Sequence, residues 1–288
     1  MSQLRLLLSC VLLAAVSGQA AADPASALIK LPSGVTLHYA VQGRADGEPL
    51  VLLHGIGDSW HSYELVLPHF PDRFRVVAVS MRGHGWSDAP AAGYTQAEFA
   101  GDVIGLLDAL DLRRVTLVGH SLGSFVAQAV AIRDRGRVAR LVLIGSGPGG
   151  VKSETVRAEV GQLFSGVKPP IDPVFARDFQ SSTISGPVPA PFLETMFGEI
   201  LRSAPQMWSQ AVAAVYDAGT AAALTKLRIP ALLLWGDRDA MLGRADQDAL
   251  VNALPKARLE IYEGTGHAPH WEQPERVARD IIAFAAAR

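Results

Sequence analysis

The chain has 288 residues, of which 49% are hydrophobic, and 26 basic residues nearly balance 28 acidic ones to give a formal net charge of −2. This balance does not indicate nucleic acid or an anionic membrane as a partner, so neither is expected. The only cysteine is Cys10, which excludes an internal disulfide and a cysteine metal site. The length allows one large or two ordinary domains around a sizeable core.

Residues 1–22 have the features of an export signal. One arginine precedes the apolar run "LLLSCVLLAAV", and small residues follow, with Ala20 or Ala22 as the candidate cleavage point. The run is too short to span a bilayer, and no later apolar stretch is long enough. We therefore expect an exported protein, periplasmic or secreted, whose mature chain has no membrane span. As alternatives, an uncleaved leader would anchor the protein, and Leu7–Cys10 loosely resembles a lipoprotein signal.

The remaining sequence predicts alternating strands and helices. Two short strands flank Pro32-Ser33-Gly34, which is a hairpin signal. Continuous apolar runs, typical of strands covered on both faces, occur at 49–55, 74–80, 114–120, 140–146 and 230–236, and the less apolar run 257–264 suits an edge strand. Segments with helical periodicity are 95–110, 121–135 and 274–288. This alternation predicts a mostly parallel sheet between helices.

The alternation is interrupted between residues 147 and 227. This segment is rich in proline and glycine at several points, contains no convincing strand, and is too long for a simple loop. It predicts a helical lid inserted over one end of the sheet, which divides the core into residues 23–146 and 228–288. One or two of its large apolar side chains are expected to face the substrate, the candidates being Phe164, Phe179, Met207 and Trp208.

Polar residues follow the carboxyl ends of four predicted strands, which is where ligands bind in open α/β sheets. They are Ser121, the pair Asp237 and Asp239, His267, and the turn "HGIGD" at 54–58. Ser121 lies in a Gly-x-Ser-x-Gly motif between a strand and a helix, as in a nucleophile elbow, although an ordinary glycine-rich turn is the alternative. A serine nucleophile needs a histidine base oriented by a carboxylate, and the order Ser, Asp, His is that of the hydrolase sheet.

The motifs "LLHGIGDS", "MRGHGWSDAP", "LVGHSLGS", "LLLWGDRDAML" and "GTGHAPHWEQPE" together resemble those of the α/β-hydrolase superfamily, and within it the small lidded serine hydrolases. The resemblance extends from about Leu50 to the C-terminus. It implies an α/β fold with a mostly parallel eight-stranded sheet, helices on both faces and an inserted helical lid. The chain departs from the family at Ser80, where the family stretch often has an aspartate.

The resemblance also implies a role for five positions. These are Ser121 as nucleophile, His267 as general base, Asp239 as the acid that orients it, and the backbone N–H groups of Ile56 and Leu122 as an oxyanion hole. The acid of the family loop W-G-x-x-D is its last residue, which selects Asp239 over Asp237. The histidine that directly follows G-x-G is selected over His270. No metal or organic cofactor is implied.

Several other residues are expected to have structural roles. His54 and His120 flank the candidate site and are predicted to be structural or to line the pocket, with His54 included among the pocket residues. Arg82 and Asp88 are expected to tie loops together. The pair His267 and His270 lacks the supporting acids or cysteines that a metal site needs, so no metal is predicted.

The sequence thus predicts a serine hydrolase that cleaves a small, fairly apolar ester through an acyl-enzyme intermediate. The apolar lid and the absence of a cationic cluster favour such a small-molecule substrate. A carbon–carbon bond hydrolase, a lactonase and a cofactor-free perhydrolase are alternatives that use the same triad. A protein of the same fold that binds a ligand without turnover is an alternative of a different class.

Overall fold

The structure is a computed structural model that describes residues 24–149, 154–217 and 219–287. The predicted leader, including Cys10, lies outside the described residues, as do residues 150–153 and 218 of the predicted lid. Within helix 154–165, the side chains of 155–157, 159, 160 and 163 are also outside the description. No helix in the described ranges is both long enough and apolar enough to cross a membrane.

One eight-stranded sheet forms the centre of the molecule, with strand order β1-β2-β4-β3-β5-β6-β7-β8. The strands are β1 (Ala25–Lys30), β2 (Thr36–Gly43), β3 (Glu48–Leu53), β4 (Phe74–Ser80), β5 (Val115–His120), β6 (Val138–Ile144), β7 (Ala231–Gly236) and β8 (Ala257–Tyr262). Only β2 runs antiparallel to its neighbours β1 and β4, and all other pairs are parallel. The predicted fold class is therefore confirmed, and β8 is an edge strand as expected.

Ten α-helices are present among the described residues. They are α1 (Gln96–Ala109), α2 (Leu122–Arg133), α3 (Glu154–Ser165), α4 (Pro173–Ser182), α5 (Ala190–Arg202), α6 (Pro205–Asp217), α7 (Ala221–Leu224), α8 (Arg244–Ala253), α9 (Pro269–Glu272) and α10 (Pro274–Ala286). Short 3-10 turns occupy Trp60–Tyr63 and Leu67–His69. Helix α1 begins with a capping box, in which Thr95 and Glu98 satisfy each other's backbone N–H groups.

The central strands are rich in apolar residues because both faces of the sheet are covered. All six residues of β5 and of β7 are buried. Val51 and Leu53 pack with α1 and α2 in one apolar layer, whereas Leu50 and Leu52 pack with α10 in the other. Alternation of side chains along a strand thus supplies both layers from one apolar run.

Helices α3 to α7 lie between β6 and β7, and we call residues 154–224 the helical insertion. Its apolar side chains Trp208 and Met207 belong to the same buried layer as Val51 and Leu53 of β3. The insertion also bonds to loops at the carboxyl ends of the strands: Ala204 donates its N–H to the Gly83 carbonyl at 2.8 Å. The insertion therefore packs against the end of the sheet where the candidate site residues are found. The predicted domain boundaries at 147 and 227 stay a prediction.

Candidate active site

Ser121 occupies a strained corner between β5 and α2. Its backbone angles are φ 48° and ψ −120°, in a region that residues other than glycine rarely adopt and that costs about 1–3 kcal/mol. The flanking glycines are required by close approach: a methyl group at Gly119 would lie 2.2 Å from the Gly123 carbonyl oxygen, and one at Gly123 would lie 2.4 Å from that of Leu53. Ser121 remains partly exposed, so its corner presents it at the surface of the site.

Asp239 and His267 form a buried pair. His267 Nδ1 is 2.8 Å from Asp239 Oδ2, and both side chains are almost fully buried. The other carboxylate oxygen, Oδ1, accepts the N–H groups of Met241 and Leu242 at 2.8 and 3.0 Å. The carboxylate is thus held on both oxygens, and it orients the imidazole so that Nε2 points away from it.

The His267 ring lies next to the corner that carries Ser121. A methyl group at Gly145 would be 2.9 Å from His267 Nδ1, and the preceding residue, Ile144, accepts the Ser121 N–H through its carbonyl at 3.0 Å. His120, adjacent to Ser121, has its ring centroid 5.0 Å from that of His267. The buried Nε2 atom of His267 has no hydrogen-bond partner among the described residues, Ser121 included. The hydrogen bond between a catalytic serine and its histidine is often long or absent before substrate binds. The lack of a bond from Nε2 to Ser121 is therefore compatible with a role for Nε2 as the proton acceptor.

Asp237 has a different role from Asp239. It is exposed, and its Oδ1 accepts the Gly264 N–H at 2.7 Å, while its own N–H donates to the Tyr262 carbonyl at 3.1 Å. Asp237 therefore joins the loops that follow β7 and β8. Of the two acids in this loop, it is Asp239 that the structure brings to His267.

The loop after β3 is held directly against the first turn of α2. Gly123 donates its N–H to the His54 carbonyl at 3.0 Å, which brings the backbone of Ile56 to the same end of the sheet as that of Leu122. No hydrogen bond joins either the Ile56 or the Leu122 N–H to another described residue. Leu122 is the first residue of α2, where helical N–H groups have no partner within the helix and can bind an anion.

His54 and His120 are structural, and neither is available as a base. His54 is fully buried: its Nε2 accepts the Met81 N–H at 2.9 Å and its Nδ1 donates to the Gly55 carbonyl at 2.6 Å. Burial holds the pKa of His54 well below its ordinary value, and the neighbouring His84 adds to this effect. Burial likewise lowers the pKa of His120, whose Nε2 lies 3.1 Å from the His267 carbonyl oxygen.

A buried polar group behind His267 was not predicted from the sequence. Asp58 Oδ2 accepts the Ser62 hydroxyl at 3.2 Å and lies 3.9 Å from His120 Nδ1, and His270 Nε2 is 3.1 Å from Ser62 Oγ. Burial raises the pKa of Asp58 to about 7, and it lowers that of His270 to about 3. Asp58 lies in the quoted motif "HGIGD", but no pattern in the sequence indicates that it is buried. Its place in this motif, at the end of a predicted strand, is the one feature of the sequence that points to Asp58.

The predicted pocket residues divide into two groups. His54, Met207 and Trp208 have no accessible surface in this structure and pack as core. The expectation that one or two of Phe164, Phe179, Met207 and Trp208 face a substrate stays a prediction. Trp208 is buried because it is enclosed by aromatic rings, including that of Phe164, stacked at 5.6 Å, and that of Phe179, edge-on at 5.0 Å. Phe164 and Phe179 keep some exposure, Phe164 only 8% of its surface.

The remaining polar motif residues tie loops together. Arg82 donates two hydrogen bonds to the buried Asp102 carboxylate, at 2.5 and 2.7 Å, and a third to the Gly93 carbonyl. Asp88 accepts the Thr36 N–H at 2.7 Å. Within the described ranges, no group of three or more His, Cys, Asp or Glu side chains is arranged to hold a metal ion.

Comparisons with known proteins agree with this architecture. A family model described as the alpha/beta hydrolase family matches residues 50–280. The chain is 31% identical over 275 residues to a non-heme chloroperoxidase from Streptomyces lividans, covering 87% of this chain and 96% of that protein. It is 31% identical over 268 residues to a 2-hydroxymuconate semialdehyde hydrolase from Pseudomonas sp. CF600, covering 84% and 89%. The structure of an esterase from Rhodococcus sp. ECU1013 matches with a TM-score of 0.80 and 27% identity, over 91% and 98% of the two chains.

Proposed function

Because the chain belongs to the alpha/beta hydrolase family, we propose that it is an exported serine hydrolase that cleaves a small, fairly apolar ester through an acyl-enzyme intermediate. The observation that carries this proposal is the strained Ser121 corner beside the buried His267–Asp239 pair. A non-glycine residue in this conformation, next to a histidine with one unpartnered nitrogen, is expected at a site that stores strain for catalysis.

In the proposed reaction, Ser121 Oγ attacks the carbonyl carbon of the ester while His267 Nε2 takes the hydroxyl proton. Asp239, held by the Met241 and Leu242 N–H groups, stabilises the imidazolium that forms. The Ile56 and Leu122 N–H groups bind the oxyanion. His267 then gives its proton to the leaving alcohol, and afterwards it activates the water that hydrolyses the acyl-enzyme.

The helical insertion is proposed to act as a lid over this site. Its aromatic side chains Phe164, Phe175, Phe179 and Trp208 are packed together, and Phe175 and Phe179 are partly exposed. An apolar lid favours an ester with apolar acyl or alcohol groups, because burial of apolar surface supplies binding energy without a charged partner.

A carbon–carbon bond hydrolase is the second candidate, because the chain is similar over most of its length to the 2-hydroxymuconate semialdehyde hydrolase. A lactonase, a perhydrolase and a non-catalytic binding protein use or retain the same residues. A panel of p-nitrophenyl esters, lactones and dienoic ketones separates these candidates. Sustained turnover of esters supports the proposal, whereas binding without turnover supports a receptor.

Two substitutions test the nucleophile and the acid. Ser121→Ala should abolish p-nitrophenyl acetate hydrolysis while the melting temperature is retained, and a fluorophosphonate should label Ser121 in the wild-type protein. Asp239→Asn should lower kcat by about 10³- to 10⁴-fold because the histidine loses its orienting acceptor. Asp237→Asn, two residues away, is the matched control and should change kcat by less than about threefold, since this acid bonds only to loop backbone. Activity retained by Ser121→Ala would overturn the proposal.

A further inference from the structure

Glu272, at the end of α9, joins two segments of the chain through one carboxylate. Its Oε1 accepts the N–H of Gly266, the residue before His267, at 2.8 Å. Its Oε2 accepts the N–H groups of Ser185, at 3.3 Å, and of Gly186, both in the helical insertion. Bonds from N–H groups to an ionised carboxylate are roughly twice as strong as bonds between neutral groups. The carboxylate therefore holds the His267 loop and the insertion together.

The insertion contacts the other side of His267 as well. Ala268, the residue after His267, donates its N–H to the Thr183 carbonyl at 3.2 Å. A methyl group at Gly266 would lie 2.9 Å from both the Thr183 carbonyl oxygen and the Ser185 nitrogen. Both chain neighbours of His267 are thus packed directly on residues 183–186 of the insertion.

Helix α9 is a single short turn, so Glu272 at its end lies beside residue 266 in the loop that precedes the helix. The Trp271 and Glu272 N–H groups both donate to the Ala268 carbonyl, at 2.9 and 3.3 Å. The carboxylate therefore closes a short ring of chain, 266–272, at the same time as it binds the insertion. This closure acts on the backbone of His267 in addition to the side-chain contact with Asp239, and the Gly266 N–H has no other hydrogen bond to a described residue.

We propose that Glu272 is a positioning residue for His267, and that through it the docking of insertion residues 183–186 sets where the base lies relative to Ser121. This inference rests on the proposed function, in which His267 is the general base. A displacement of about 1 Å between reacting groups can reduce the rate by about 10²-fold. Loss of the bond between Glu272 and the Gly266 N–H is therefore expected to lower kcat more than it raises KM.

The near-isosteric substitution Glu272→Gln tests whether Glu272 positions His267 or only stabilises the contact between the loop and the insertion. A glutamine has one acceptor oxygen, so it can satisfy either the Gly266 N–H or the insertion N–H groups, and its NH₂ group then faces donors on the other side. We expect kcat for p-nitrophenyl acetate to fall by about 10- to 100-fold with KM within about threefold of wild type.

The controls distinguish this inference from the proposed function. Rates are expressed per site labelled by the fluorophosphonate, so that misfolded protein does not count, and Glu275→Gln changes an exposed acid nearby that should leave kcat unchanged. Gly266→Ala is the second variant: its methyl group pushes residues 183–186 off the loop while Glu272 is intact, and the same selective loss of kcat is expected. A wild-type kcat per labelled site in Glu272→Gln or Gly266→Ala would overturn the positioning role. Activity in Ser121→Ala would instead overturn the proposed function.

Discussion

The substitution Asp58→Asn tests the buried polar group behind His267. The Asp58 side chain is buried, and its pKa is about 7 instead of 3.8, first because burial disfavours the charged form and also because the Glu199 charge lies nearby. The difference is about 3 pKa units at about 1.36 kcal/mol each, so ionisation of Asp58 is opposed by about 4 kcal/mol in the folded protein.

The raised pKa of Asp58 determines whether the free energy of unfolding rises or falls with pH. Below pH 3.8 the carboxyl is protonated in both states and has no effect on the free energy of unfolding, whereas between about pH 4 and 7 only the unfolded chain releases the proton. Wild-type stability should therefore fall by about 4 kcal/mol over this range because of Asp58. Asparagine retains the size and the acceptor for Ser62 but does not titrate, so it removes this fall.

The assay is urea unfolding of both proteins at several pH values from 4 to 8. The unfolding free energy of Asp58→Asn minus that of wild type should rise by up to about 4 kcal/mol from pH 4 to 7 and then level off. Asp178→Asn is the control, because Asp178 is an exposed acid on α4. A difference that stays constant from pH 4 to 8 for Asp58→Asn would refute the reasoning.

Three further substitutions test other parts of the structure. Gly145→Ala should reduce ester hydrolysis by more than about 10²-fold, because φ is +51° and the methyl group would lie 2.6 Å from the His267 carbonyl oxygen; near-normal rates would contradict this packing. Gln180→Leu should leave the melting temperature unchanged or raise it, since both amide atoms are buried without a partner among the described residues; a clear decrease would reveal a hidden partner. Arg82→Met should lower the free energy of unfolding by about 3–5 kcal/mol in denaturant titrations, because it leaves the buried Asp102 unpaired; a change below about 1 kcal/mol would contradict the pairing.

The elements of the core could be predicted from the sequence because each strand is buried on both faces and so has an apolar run of its own. The β4 bounds match the predicted run 74–80, and β6 begins and ends two residues earlier than predicted. The site residues that could be predicted are those that lie in recognisable motifs directly after predicted strands, namely Ser121, Asp239 and His267. The choice of Asp239 over Asp237 came from the family resemblance, and the 2.8 Å contact with His267 agrees with it.

What the sequence could not indicate depends on packing between distant segments. An exposed pocket and a sealed core require the same apolar residues, so Trp208 and Met207 could not be separated from Phe164 and Phe179 before the insertion was seen against the sheet. Asp58 and Glu272 were missed for a related reason. The partners that define Glu272 lie 86 and 87 residues away at Gly186 and Ser185, and no local pattern records such contacts.

The contact between residues 183–186 and residues 266–268 also bears on exchanging the insertion between relatives. A chimera that replaces α3 to α7 changes one half of this contact while it keeps the other, so it alters the surroundings of the base together with the walls of the pocket. The N–H groups of 185 and 186 would need equivalents that reach the Glu272 carboxylate. Substrate range and turnover rate in such chimeras are therefore expected to change together, and an exchange that stops before residue 183 should alter the first with less effect on the second.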